Sequence, residues 1–228
     1  SASSEYGPFY TINYNVTGKI KVLILIQGEQ SENLARQEIK KTIFKCDLMK
    51  IDELEIENIS EYTYIFFVSD GYEMYRKTDS AQKVDKGIID ELVQCLQSDD
   101  NSAASATVYY KNKVYSAGYC YSSSFKEYIR PLYRNVPIKD PAYMNRLKFR
   151  QNVSLLGGGI FAVKSDIYME YLKKNGEYDI NDISQERLFS NMEWFKICLF
   201  IKEKQKNCVL SPLKPLEITS EKIKEEKE

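Results

Sequence analysis

The chain has 228 residues, 43% of them apolar and 29% charged, enough for one large domain with a sizeable core. Its 32 basic and 33 acidic side chains leave a net charge of −1, so no overall basic field exists to attract nucleic acid. There is no histidine, which excludes His-based acid–base catalysis, serine or cysteine triads with a His base, and His-ligated metals. Catalysis would fall to carboxylates, lysine, tyrosine or cysteine, and a metal would be a hard, oxygen-ligated one.

Ser1-Ala2-Ser3 reads as an expression scar, and residues 1–19 as an extension before the domain. Residues 20–26 form an apolar, β-branched run that suits a strand buried on both faces. Gly28 marks a turn, Ser31 can cap a helix, and the pattern predicts that helix from Glu32 to Phe44 with Leu34, Ile39 and Ile43 facing inward. Cys46–Ile51 and Tyr62–Val68 read as two further strands. This strand–helix–strand order predicts right-handed crossovers and a mostly parallel sheet. A helix is expected over Ala81–Gln97, with Val84, Ile88, Leu92 and Leu96 on one stripe. Ala106–Tyr110 and Lys113–Ala117 read as a hairpin around Lys111-Asn112.

Residues 121–150 are rich in Tyr and Arg and read as a long loop with short helices. Lys148 and Arg150 within it read as a solvated basic face. Ser154–Lys164 reads as a strand broken by Gly157-Gly158-Gly159 and leading into a helix over Asp166–Lys173. A second helical pattern covers 190–205, and Asn207–Leu210 is a short last strand stopped by Pro212 and Pro215. Residues 217–228 are a charged tail, a linker or a cut point in a longer multidomain protein. No apolar run approaches the ~20 residues of a membrane-spanning helix. The five cysteines, with no CxxC spacing, read as reduced thiols of a cytoplasmic protein.

Three places could carry chemistry. Asp70, after Ser69 and before Gly71, ends a buried strand, where α/β sheets bind ligands; its carboxylate can hold a divalent metal, or it closes an ordinary Asp-Gly turn. Gly157, Gly158 and Gly159 either wall a sugar or acceptor pocket or mark a bulge or tight packing point. Glu193 could be a general base beside an acceptor with Trp194 stacking on a sugar, or a surface acid beside a core indole.

The ordered set resembles the GT-A domain of family 2-type glycosyltransferases over about residues 20–215. Val22–Phe44 is similar to the opening strand and helix, and Tyr64-Ile-Phe-Phe-Val-Ser-Asp-Gly to the strand ending in the Asp-x-Asp metal motif. The hairpin residues Tyr115-Ser-Ala-Gly are similar to a stretch that follows that motif in many bacterial members. Leu155–Lys164 resembles the acceptor-side strand, and Asn191–Lys202 with Cys208-Val-Leu-Ser-Pro the Glu-Asp helix and the strand after it. The metal motif keeps one acid, Asp70, and Trp194 stands where the usual base would be.

The resemblance implies a GT-A-like three-layer α/β domain, residues 20–216, with a mostly parallel central sheet flanked by helices. It implies a nucleotide-sugar donor, a glycan or other hydroxyl acceptor, and inverting transfer. In that scheme Ser69, Asp70 and Gly71 meet the diphosphate, Asp70 holds Mn or Mg, Gly157–Gly159 and Trp194 line the acceptor side, and Glu193 is the base. The alternative is an inactive domain of the same type that binds a glycan, a nucleotide or a partner transferase.

Overall fold

A computed structural model describes residues 19–51, 56–75, 87–122, 128–140, 142, 146–177 and 183–225. Strand β1 (Lys21–Ile26) leads into helix α1 (Glu29–Ile39), then β2 (Lys45–Lys50), a 3-10 turn (Ile56–Glu61) and β3 (Tyr64–Val68). β4 (Tyr72–Met74), α2 (Ile88–Leu96) and the long β5 (Asn101–Tyr110) follow. Next come β6 (Lys113–Ser116), β7 (Tyr119–Ser122), β8 (Tyr128–Pro131) and β9 (Gln151–Val153). The chain closes with β10 (Ile160–Lys164), α3 (Ser165–Lys174), α4 (Gln185–Leu188), α5 (Asn191–Glu203), β11 (Asn207–Ile218) and α6 (Ser220–Glu225).

Among the described residues nine strands form the main sheet, in the order β2-β1-β3-β10-β5-β11-β4, with β6 beside β5 and β9 beside β11. β1, β2, β3, β5 and β11 share one direction, and β10 runs against both of its neighbours in the middle. Helices cover both faces, which gives three layers. One face packs Leu23, Phe67, Phe161 and Leu210 against α3 and α5. The other packs Ile24, Phe66, Ala104 and Val209 against α1 and α2. β5 lies between β10 and β11 and is buried on both faces, and its run of Ser, Ala and Thr lets the helix layers approach closely. Its Ser105 hydroxyl donates to Ile160 O at 2.7 Å, so the polar atom is not stranded.

Four expectations are corrected. Helix α1 stops at Ile39, where Lys41 N and Thr42 N bond back to Glu38 O and Ile39 O in a tightened last turn; Ile43 is therefore 52% exposed, not inward. The expected loop contains an antiparallel hairpin, β7–β8, with Cys120 opposite Arg130. β5 begins at Asn101, five residues before the expected Ala106, because a small-residue strand lacks the bulky pattern that announces a strand. β11 runs through Pro212 and Pro215: both lie in a register shift between Ser211 and Leu216, where the ladder with β5 asks for no N–H. Of the predicted second helix, Ala81–Lys86 with Val84 lie outside the described residues. Within the charged segment Ile218 and Ile223 are buried, at 1% and 7% exposed. Among the described residues no helix is long and apolar enough to cross a membrane.

Candidate functional site

The carboxyl ends of β1 and β3 meet at Gln27-Gly28 and Ser69-Asp70-Gly71. Asp70 does not point away from the protein there. Its Oδ1 accepts from Ser31 N at 2.7 Å, and so satisfies a free N–H in the first turn of α1 from a neighbouring strand. Asp70 N donates to Gln27 Oε1 and Gly71 N to Gln30 Oε1, each at 2.9 Å. Ser31, expected as the cap, sits inside the helix, and its hydroxyl accepts from Gln27 N and Gly28 N. Gly28 is what lets the carboxylate in: a Cβ there would lie 2.2 Å from Asp70 Oδ2. Ser69 is buried, with its hydroxyl toward Phe189 O at 3.4 Å. Gly71 adopts φ +86°, and a Cβ on it would lie 2.7 Å from Cβ of Lys222 on α6. The backbone approach that Gly71 permits is thus taken by the protein's own last helix, tied by Thr219 N to Gly71 O at 2.9 Å.

These residues do not fit a protein-held divalent cation. Asp70 offers one carboxylate with one oxygen on a helix N–H and the other against Gly28. Among the described residues no cluster of three or more acids or thiols stands ready to join it.

Glu193 lies in the first turn of α5, 2% exposed. Its Oε1 accepts from Tyr171 Oη at 2.6 Å and Arg187 Nη2 at 2.8 Å; its Oε2 accepts from Arg187 Nε at 2.8 Å and Lys196 Nζ at 3.4 Å. Arg187 also pairs with Glu177 at 2.5 Å. Burial pushes the Glu193 carboxyl up, but the hydrogen bonds from Arg187 and Tyr171 and the charges of Arg187 and Lys196 outweigh it, so its pKa lies below the usual value. A carboxylate held this way is a poor proton acceptor. Tyr171 is pushed up, by burial and then by Glu193.

Trp194 is 1% exposed, stacks on Phe161 at 5.3 Å and donates from Nε1 to Leu188 O. It is a core indole with no face left for a sugar. The three glycines are buried packing points. A Cβ on Gly157 would meet Asn191 Oδ1 at 2.7 Å, one on Gly158 Val108 at 2.7 Å, and one on Gly159 Leu216 at 2.7 Å. Gly158 and Gly159 hold φ of +90° and +73°, a turn that delivers the chain into β10. The five cysteines are free thiols, and burial pushes Cys46 and Cys95 up to about 12, out of the nucleophile range.

The open space lies one step away. A cleft of about 1100 Å³ sits between α1, β4 and the far end of β11, outside the carboxyl end of β5. Asn33 and Gln37 of α1 face Tyr72 of β4, Tyr75 just after that strand and Tyr109 of β5 across it. The Tyr75 and Tyr109 rings stand 5.1 Å apart, and Tyr75 Oη donates to Asn112 Oδ1 at 2.9 Å. The sequence pattern does not single out Asn33, Gln37, Tyr72 or Tyr75. Their trace in it is the four-residue spacing of Asn33 and Gln37 on the polar side of α1.

The mixed, helix-flanked sheet defines a GT-A-like α/β fold. The solved structure of GalNAc-T7 with UDP, GalNAc and Mn2+ is similar, at a TM-score of 0.50 and 12% identity over 88% of this chain. The match spans 44% of that chain, less than half of its length. The crystal structure of A197 from STIV aligns with 88% of this chain and 94% of its own at 9% identity and a TM-score of 0.37. No family model matches the sequence, and no curated protein does.

Proposed function

We propose that the chain is a glycosyltransferase-type domain that recognises a nucleotide-sugar or glycan at the carboxyl edge of its sheet without using Asp70 or Glu193 as catalytic groups. One observation carries this reading: both oxygens of Glu193 are held by Arg187, Tyr171 and Lys196 inside the helix layer. A base must be free to take a proton from an acceptor hydroxyl, and this one is committed to structure. The cleft supports the binding half. Side-chain amides such as Asn33 and Gln37 hydrogen-bond sugar hydroxyls, and tyrosine rings cover their apolar faces.

A second reading is favoured by the fold itself, whose neighbour was crystallised with UDP, GalNAc and Mn2+. It is an inverting transferase that moves a sugar from a nucleotide donor to a hydroxyl acceptor, with a base other than Glu193. Thermal melting with UDP, GDP and CDP, each with and without manganese, tests the binding common to both. The expected result is a rise in Tm with one nucleotide, the same without manganese and reduced in Asn33→Ala. No rise with any nucleotide or sugar nucleotide would sink donor recognition. Sugar release or transfer that is lost in Glu193→Gln at unchanged nucleotide affinity would overturn the non-catalytic assignment.

A further inference from the structure

The net charge of −1 hides a strong separation. Residues 111–150 hold nine basic and two acidic side chains, a net of +7, so the rest of the chain carries −8. The fold brings several of these cations to one end. Lys111 and Asn112 form the tight turn between β5 and β6, with φ of 47° and 61°. Ile138 N donates to Asn112 O at 2.9 Å, and Lys113 bridges to Pro137, so the 132–139 turn lies against that hairpin tip. Lys111, Lys113, Arg134 and Lys139 are all exposed there. The Arg134 guanidinium lies 4.4 Å from the centre of the Tyr115 ring and Lys111 Nζ 5.1 Å from that of Tyr110, which stiffens both cations without neutralising them. Ile138 also walls the cleft, and across that wall stand the exposed Lys148 and Leu213. Arg150 is not part of this surface, because Glu91 takes it in a two-pronged pair at 2.7 Å.

Two of the large apolar side chains left exposed belong to the same end: Phe149 at 45%, next to Lys148, and Leu213 at 53%. Among the described residues none of Lys111, Lys113, Arg134, Lys139 and Lys148 makes an ion pair. Among the described residues the acids close by include Asp140, whose Oδ1 accepts from Ala142 N, Glu73 and Glu217 on the strands beside the cleft, and the buried Glu38 within it.

We propose that this end of the molecule, the β5–β6 tip with Arg134, Lys139, Lys148, Phe149 and Leu213, docks on an anionic lipid bilayer. Cations at the tips of turns reach the negative headgroup layer, while two protruding apolar side chains enter its outer part. A single-stranded nucleic acid is the poorer fit. It needs aromatic faces open for stacking, and here the cations themselves lie over Tyr110 and Tyr115. Resting on the glycan recognition proposed above, docking here brings the cleft wall formed by Ile138, Lys148 and Leu213 to the membrane surface.

The test is vesicle co-flotation of the purified chain. Vesicles of phosphatidylcholine alone are compared with vesicles holding about 30% phosphatidylserine. Binding is expected on the anionic vesicles only and should vanish at about 0.5 M salt, where screening is short-ranged. The triple variant Lys111→Glu/Lys113→Glu/Lys139→Glu should weaken it by at least a hundredfold, since each surface cation contributes roughly fivefold. Lys40→Glu/Lys173→Glu/Lys202→Glu, the same charge change elsewhere, should weaken it far less. Phe149→Ser/Leu213→Ser should lower binding at unchanged salt dependence. If the patch triple variant melts early, the corresponding Lys→Gln changes replace it, and lipid and salt dependence of the unaltered chain stand apart from any variant. Absence of binding to anionic vesicles at low salt overturns the proposal. So does equal loss in both triple variants, or tighter binding to a single-stranded oligonucleotide than to the vesicles.

Discussion

Two carboxylates drew attention in the sequence, and the fold treats them differently. Glu193 is sealed in the helix layer, 2% exposed, and balanced by Arg187 and Lys196. Asp70 is half-buried at the edge of the sheet and faces a single backbone N–H of α1. Both hold a helix in place, one through charge in a dry setting and the other through a wet helix terminus. Burial sets what each is worth. Removing one member of a buried ion pair leaves its partner uncompensated, whereas removing a cap costs one hydrogen bond that water partly replaces.

Breaking the Glu193 side should have the larger effect. Glu193→Gln is expected to destabilise the fold by about 3 kcal/mol in denaturant titration, since Arg187 and Tyr171 lose their charged acceptor. A loss below about 0.5 kcal/mol would place Glu193 among ordinary surface acids instead. The pH dependence follows from the direction of its shift. Because its pKa is lowered on folding, the stabilisation is fully present above the ordinary value of 4.5 and disappears as pH falls through the depressed one. The stability gap between the unaltered chain and Glu193→Gln should therefore shrink on acidification below about pH 5.

Gly159→Ala comes next. Its new Cβ would meet Leu216 and Tyr72 in a backbone with φ +73°, so a loss of about 2 kcal/mol is expected. Equal stability would mean that the turn into β10 can relax, and would reopen the glycine run as a ligand wall. Asp70 sharpens the comparison at the small end. Asp70→Ala should cost about 1 kcal/mol and Asp70→Asn only a few tenths, since the amide oxygen still accepts from Ser31 N. Manganese-dependent nucleotide binding that disappears in Asp70→Asn while stability holds would return Asp70 to the metal role. Smallest of all is Gln37→Ala on the open face of α1. It should leave Tm within about 1 °C while weakening the ligand of the cleft roughly fivefold.

The apolar runs at 20–26 and 64–68 announced β1 and β3, because a strand buried on both faces has nowhere to put polar side chains. The Lys111-Asn112 turn was equally plain, since it falls between two apolar runs and Asn tolerates the positive φ that a two-residue hairpin needs. β7 and β8 were not, because each is only four residues long and they pair with each other in a two-stranded sheet of their own. Nor was the full length of β11, where two prolines read as stops until the bulge that houses them is known.

The sequence by itself determined the strand–helix order, the absence of imidazole chemistry and the places where carboxylates and glycines depart from the surrounding pattern. Tertiary structure alone decided what those residues do. It turned Asp70 onto α1, closed Gly71 under Lys222, sank Trp194 against Phe161 and brought Arg187 of α4 and Tyr171 of α3 onto Glu193. It also brought Lys111, Arg134, Lys148 and Leu213 to one end, although 102 positions separate the first from the last. The physical reason is range. Backbone preference and side-chain burial act between near neighbours and leave a periodic trace, while hydrogen bonds and charge pairs form between segments that only the packed sheet brings within 3 Å.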